Sequence, residues 1–286
     1  MPGRNVDEHV VADFGREWGT FDQSDVPDEE LLLQFERYFA VFPWDNLPRN
    51  AVGFDAGCGS GRWARFVVPR VGLLHCVDAS AEALEVAKNT LVAMTNCEFH
   101  HASIDELPLE DGAMDFGYCL GVLHHVPDTV SALKTCVSKL RPGAPFLVYL
   151  YYDLQDRPHW FRALFRVVSV ARKRISRWPH WCKLAATSLI ALVVYLPLAR
   201  AAALAERLGR DVEDWPLSFY RDRSVYTLRT DALDRFGTRL EKRFSRDDVV
   251  TLLMNAGLTN IVVSSQTPYW CAVGLKGTLP AVRTNG

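Results

Sequence analysis

No excess of charge of either sign marks this chain: 32 Lys and Arg stand against 34 Asp and Glu, a formal net charge of -2. That balance argues against a general nucleic-acid binder, which would carry a strong basic surplus. The seven cysteines form no C-x-x-C pair and no Cys/His set at zinc spacing, so they read as reduced thiols of a cytoplasmic protein, with no metal site expected. No apolar run follows a basic start, since Asp7 and Glu8 come early, and a secretory signal is not expected. Carboxylates are missing altogether from Arg157 to Ala205. What remains is 286 residues, 49% of them apolar, enough for one large core or for one domain with a sizeable insertion.

The densest pattern is Val52-Gly53-Phe54-Asp55-Ala56-Gly57-Cys58-Gly59-Ser60-Gly61. It reads as a buried parallel strand, a tight turn and the opening of a helix. Glycines suit such a turn because they tolerate positive φ and leave the backbone open to a ligand. A second apolar strand, Leu73–Val77, runs into Asp78. A carboxylate there, beside the first glycine turn, suits a ribose diol because it accepts both hydroxyl protons. The glycines alternate as G-x-G-x-G, with Arg62 where the last Gly of the pyrophosphate fingerprint would stand.

Strand and helix patterns continue to alternate. The spacing predicts helices over 28–42, 62–68, 81–94 and 128–140, and strands over 97–101, 116–122 and 146–152. After residue 245 a capped helix and a closing hairpin, 261–265 and 270–275, complete the pattern. Such alternation argues for a parallel sheet covered on both faces.

His124 and His125 follow the fourth strand, at the carboxyl edge where open α/β sheets bind ligands. Either could take a proton from a hydroxyl or thiol; the alternative is that they cap the strand and pack beside Asp128. No third ligand stands at a defined spacing to them, so no metal is expected. Tyr152, at the end of the fifth strand, and Tyr220 and Arg221 are candidates to line an acceptor pocket, although a solvated turn explains the last two equally well.

Asp55–Gly61 with Asp78, Leu107-Pro108, Met114-Asp115-Phe116, Val122–His125 and Leu140–Gly143 resemble the S-adenosylmethionine (SAM)-dependent methyltransferases with a Rossmann-like fold, nearest the quinone-biosynthesis branch. The resemblance covers about 52–150 and the last strands. It implies an α/β, doubly wound, mostly parallel seven-stranded sheet with an antiparallel last strand. It also implies SAM as cofactor, held by Asp55, Gly57, Cys58, Gly59, Asp78, Ala79, Ser103, Ile104 and Leu120. In that family an N-terminal segment lies over the donor, which would bring Trp18 to it; the alternative is that Trp18 pins the arm to the core. Ser103 stands where the family commonly has an Asp. No Asn-Pro-Pro-Tyr stretch follows the fourth strand, which sets the chain apart from the nucleic-acid and protein amino-methyltransferases.

The expected organisation is an N-terminal arm (1–50), a donor-binding core (51–153), a helical insertion (154–227) and the end of the core (228–286). The insertion is basic and aromatic in its first half and uncharged and apolar over Leu184–Ala199. It reads as a lid over the acceptor, as an interfacial element on an anionic membrane, or as a dimer surface or plain core. A span is not expected, because the apolar run falls short of roughly 20 residues and Pro197 and Arg200 close it. The expected function is methyl transfer to O, C or S of a small or lipid-linked acceptor, in the cytoplasm or peripheral to the membrane. The alternatives are a non-catalytic SAM-binding subunit and a related fold running different chemistry.

Overall fold

The computed structural model describes residues 5–23, 25–153, 159–212 and 215–277. In chain order, helices α1 (Glu8–Thr20) and α2 (Asp28–Tyr38) precede strand β1 (Val52–Ala56). Then come α3 (Ala64–Val67), β2 (Leu73–Asp78), α4 (Ala81–Thr90), β3 (Cys97–His101), β4 (Phe116–Leu120), α5 (Thr129–Lys139) and β5 (Pro145–Tyr149). Helices α6 (His159–Ile175), α7 (His180–Ile190), α8 (Leu196–Arg207), α9 (Val225–Gly237) and α10 (Arg246–Asn255) follow, and β6 (Leu258–Val263) and β7 (Cys271–Lys276) close the chain. These elements form two compact units: Phe35–Asp153 with the chain from Lys242 onward, and Glu8–Gln34 with the described residues up to Glu241.

The first unit is built on a seven-stranded sheet in the order β3-β2-β1-β4-β5-β7-β6. β1 to β5 run parallel, and β7 runs antiparallel between β5 and β6. The central strands β1, β4 and β5 are apolar on both faces because both are covered. Phe54, Val77, Cys119, Phe146 and Val148 pack with residues of α5 and α10. Leu74, Cys76, Phe116, Tyr118 and Leu147 pack with Phe35, Phe39, Trp63 and Leu84. Gly53 pairs with Phe116 and Phe54 with Gly117 across β1 and β4. A Cβ on either glycine would enter the ring of the opposing phenylalanine, so each glycine is a seat for an aromatic ring. Caps set the helix starts: Ser80 accepts from Ala83 N, Asp128 from Ser131 N, and Ser245 and Asp248 close a capping box.

The second unit is helical. Its core gathers Ile175, Ala191, Tyr195, Ala199, Tyr220, Leu228, Ala232 and Phe236. Lys183 Nζ reaches Asp13 at 2.8 Å and the Gly237 carbonyl at 3.2 Å, which ties α1, α7 and α9 together. Arg172 Nη1 lies 3.5 Å from Glu241 and donates to Thr238 O. Glu30 accepts from Thr227 Oγ1 at 2.7 Å and from Ser224 N at 3.0 Å.

Two expectations change here. The N-terminal arm divides: Glu8–Gln34 joins the second unit, while α2 continues into the first from Phe35, and the second unit ends after α9 rather than at 227. The apolar run that Pro197 and Arg200 were expected to close lies within one continuous helix from His180 to Arg207, 28 residues long. A proline ring clashes with the carbonyl four residues back and donates no N–H. The chain avoids the break by opening into a π turn over Ala191–Tyr195, directly before it. By length and composition this helix could cross a membrane, so the length argument against a span no longer holds.

Candidate functional site

The sheet order reverses between β1 and β4, and the ends of these strands frame the crevice where open α/β sheets bind ligands. Gly57, Gly59 and Gly61 all have positive φ. At Gly57 a side chain is doubly excluded, since its Cβ would also overlap Val122, just after β4. The loop is drawn toward β2 by hydrogen bonds from Gly57 N and Cys58 N to Val77 O, at 2.7 and 3.0 Å. Asp78 completes the cradle: Oδ2 accepts from Gly59 N and Oδ1 from Ser80 N, each at 2.8 Å. Burial pushes its carboxyl above the usual 3.8, against the pull of those two amides. Each oxygen keeps a further lone pair for a hydroxyl donor.

Asp55 is buried at the end of β1, and its Oδ2 has no hydrogen-bond partner among the described residues. Burial pushes its pKa up to about 8, while the neighbouring Tyr118 hydroxyl works against the shift and Asp78 adds to it. A desolvated carboxyl next to a second carboxylate is a place prepared for a cation.

His124 lies in a short helical turn, Leu123–His125, that follows Gly121. It is 0% exposed, and neither ring nitrogen hydrogen-bonds among the described residues. Tyr151 stacks on it with centroids 3.8 Å apart, Tyr149 meets it edge-on at 6.3 Å, and His125 tilts against it at 4.1 Å. Burial, then the charges of His125 and Arg243, hold its pKa well below 6.5, so the ring is neutral at pH 7. The backbone is pinned by Lys242, whose N–H donates to His124 O and whose Nζ donates to Pro127 O. Because Val122 touches the position of Gly57, the histidine turn and the glycine loop are neighbours.

Ser103 follows β3, with a buried Oγ that has no partner among the described residues. Ile104 and Leu120 are buried apolar residues. The Cys76 thiol and burial hold the Cys58 thiol well above 9.0, so Cys58 is a packing thiol. Ala79 O lies 3.0 Å from His101 Nε2. Tyr152 turns away from the histidines and packs between Tyr269 and Trp270, with centroids at 5.6 and 5.4 Å. Trp18, Tyr220 and Arg221 belong to the second unit. There Tyr220 is core, stacked near Tyr195 at 5.4 Å, and Arg221 is paired with Glu206 at 2.8 Å. Sequence spacing missed Tyr149 and Tyr118; each is visible only once β4 and β5 are laid beside β1.

Comparison with known proteins agrees with this geometry. Residues 54–148 match the family of methyltransferase domains. The ubiquinone biosynthesis O-methyltransferase of Marinobacter nauticus is 33% identical over 98 residues, which are 33% of this chain and 41% of that one. An uncharacterized 37.1 kDa transposon protein of Streptomyces fradiae is 31% identical over 153 residues, 49% of this chain and 44% of its own length. The chain thus spans about two fifths of the length of these curated relatives. A candidate methyltransferase structure from Bacillus halodurans superposes with a TM-score of 0.50 and 12% identity, covering 86% of this chain and 100% of that one, which shows the shared fold. The chain therefore carries, over residues 54–148, a class I methyltransferase domain of the kind that uses SAM.

The residues present fit that cofactor. SAM carries an ammonium, a ribose diol and an adenine amine, all donors, and this edge of the sheet offers Asp55, Asp78 and Ser103 as acceptors. Glycine at position 57 lets the loop pack directly against Val122.

Proposed function

We propose that this protein transfers a methyl group from SAM to a hydroxyl of a small or lipid-linked acceptor, with His124 as the base. One observation carries the reading: a neutral imidazole, fully buried and with both nitrogens unengaged among the described residues, stands next to the glycine loop. The bound donor supplies an activated methyl group. The chain then has to align the acceptor oxygen, exclude water and receive the hydroxyl proton. Tyr149 and Tyr151 fix the ring of His124 and make the surrounding wall apolar. Asp55 and Asp78 orient the donor and neutralise its positive charge.

The named activity of the Marinobacter relative supports an oxygen acceptor. The second unit supports a lipid-linked one. Lys173, Arg174, Arg177, Trp178 and Trp181 are all exposed around the turn from α6 to α7, and Leu189, Leu192 and Val193 are exposed beyond it. Cations and tryptophans next to an apolar face suit the headgroup layer of an anionic bilayer. The opposite face of the same helix is buried through Thr187, Ala191, Tyr195 and Ala199, which favours lying on the surface over crossing it. The free cysteines suit a cytoplasmic location.

The test is turnover with SAM and a panel of phenols and hydroquinones with short and long apolar tails. The expected result is S-adenosylhomocysteine and a product heavier by one methylene. Binding of SAM with no turnover on any hydroxyl acceptor, but turnover on a thiol or carbon acceptor, would overturn the hydroxyl reading. Binding without turnover on any class would favour a non-catalytic donor-binding subunit.

A further inference from the structure

At the outer edge of the first unit's sheet, His75 on β2 lies directly opposite Glu98 on β3 in the parallel register, and Val77 opposite His100. Side chains two apart on a strand share a face, so His75, Glu98 and His100 project from the same side. Their polar atoms converge. His75 Nδ1 lies 3.1 Å from His100 Nε2 and 3.3 Å from Glu98 Oε2, and His100 Nε2 lies 3.9 Å from the same oxygen. A single proton on Nδ1 cannot serve both neighbours well, and the three atoms enclose one point.

That triangle has the dimensions of a metal face. Zinc holds nitrogen and carboxylate oxygen at about 2.0–2.2 Å in a tetrahedron, which sets ligand-to-ligand separations of about 3.3–3.6 Å. The three separations here bracket that range. The donor set, two imidazoles and one carboxylate, suits zinc and its neighbours cobalt and nickel more than calcium or magnesium, which prefer all-oxygen cages. His75 is nearly buried while Glu98 is more than half exposed, so an ion has a rigid ligand on the inside and open access from solvent. The cysteines do not compete at this point: Cys76 and Cys97 are adjacent in sequence to His75 and Glu98 and therefore project from the opposite face.

We infer that His75 Nδ1, Glu98 Oε2 and His100 Nε2 form a binding site for a zinc-class divalent ion, with water as the fourth ligand. The ion cross-braces β3, the edge strand, to β2. The site is separate from the donor cradle, which uses the carboxyl end of β2 at Asp78.

The full chain, stripped with chelator and dialysed, is titrated with zinc by calorimetry and with cobalt(II) by absorption. The expected result is one ion per chain, visible cobalt bands of a tetrahedral nitrogen–oxygen site, and no near-ultraviolet thiolate band. At saturating zinc the melting temperature should rise by about 5 °C. Glu98→Gln and His100→Ala, both at partly exposed positions, should weaken zinc binding on the order of a hundredfold and abolish the thermal shift. Both variants should bind SAM as the parent does, which shows that they fold. No uptake by the parent, equal uptake by parent and His100→Ala, or a cobalt thiolate band would each overturn the site.

Discussion

The two units differ in the polar groups they bury and the apolar ones they expose. The second unit buries Lys183 and Arg172 against the carboxylates of Asp13 and Glu241, and it leaves large apolar side chains in the open. Trp181 is 73% exposed, Leu189 62% and Val193 63%. The first unit buries its central strands β1, β4 and β5 almost completely. It keeps Asp55 Oδ2, Ser103 Oγ and both His124 nitrogens buried with no hydrogen bond among the described residues. An unsatisfied buried polar atom destabilises a fold by about 1–3 kcal/mol, so a group of them at one sheet edge is the mark of a ligand site. An exposed apolar helix beside a cluster of cations marks a surface for contact. The proposed function follows this difference, with donor and acceptor chemistry in the first unit and docking in the second.

The strongest way to break that division is His124→Gln. If His124 is the base, turnover should fall by roughly 10²–10⁴ with donor affinity unchanged. Because its pKa is held well below 6.5, kcat/KM for the acceptor at saturating SAM should show no decline on lowering the pH to about 6.5. Loss of SAM binding in the same variant would instead make the ring a packing element.

Asp78→Ala should come next, with SAM affinity reduced by about 1.5–3 kcal/mol. Calorimetry with SAM and with NAD checks it. A parent that prefers NAD would contradict the donor assignment.

Asp55 sharpens the comparison through pH. Its folded pKa of about 8 stands above the ordinary 3.8, so between those values the folded chain holds a proton that the unfolded chain has lost. Stability from this group therefore falls as pH rises from about 4 to about 8, by at most about 1.4 kcal/mol per unit. A donor ammonium that needs the ionised form must expel the proton. SAM affinity should rise toward pH 8 by up to about tenfold per unit, with proton release visible in buffers of different ionisation enthalpy. Asp55→Asn should flatten that dependence, weaken SAM binding, and raise the melting temperature at pH 8.

The smallest effects belong to the second unit. Neutralising Lys173, Arg174 and Arg177 to Gln should weaken binding to anionic vesicles by about 1 kcal/mol for each charge, with SAM affinity untouched. Vesicle binding indifferent to both salt and these charges would remove the docking role. Leu189→Asp and Leu192→Asp should likewise reduce vesicle binding without changing SAM affinity.

Much of this protein follows from local chemistry. Alternating apolar and helical segments dictate a covered parallel sheet, and Gly57, Gly59 and Asp78 mark a tight glycine loop beside an acid, because turn geometry and strand burial depend on residues close in sequence. Ser80, Asp128 and Ser245 mark helix starts for the same reason. Other features depend on which distant segments meet. The sequence places His124 after a strand, but its isolation and neutral charge come from Tyr149, Tyr151 and Arg243, brought alongside by β5 and the chain beyond α9. Asp55 is an ordinary acid in sequence and becomes a weak one only when the assembled sheet buries it and brings Asp78 near. Pro197 closes the apolar run in sequence, yet with a π turn before it one helix continues to Arg207, and Glu8–Gln34 joins the second unit through contacts such as Lys183 with Asp13. His75, Glu98 and His100 have no motif spacing; they converge because parallel strand register, which no short window of sequence fixes, sets β2 beside β3.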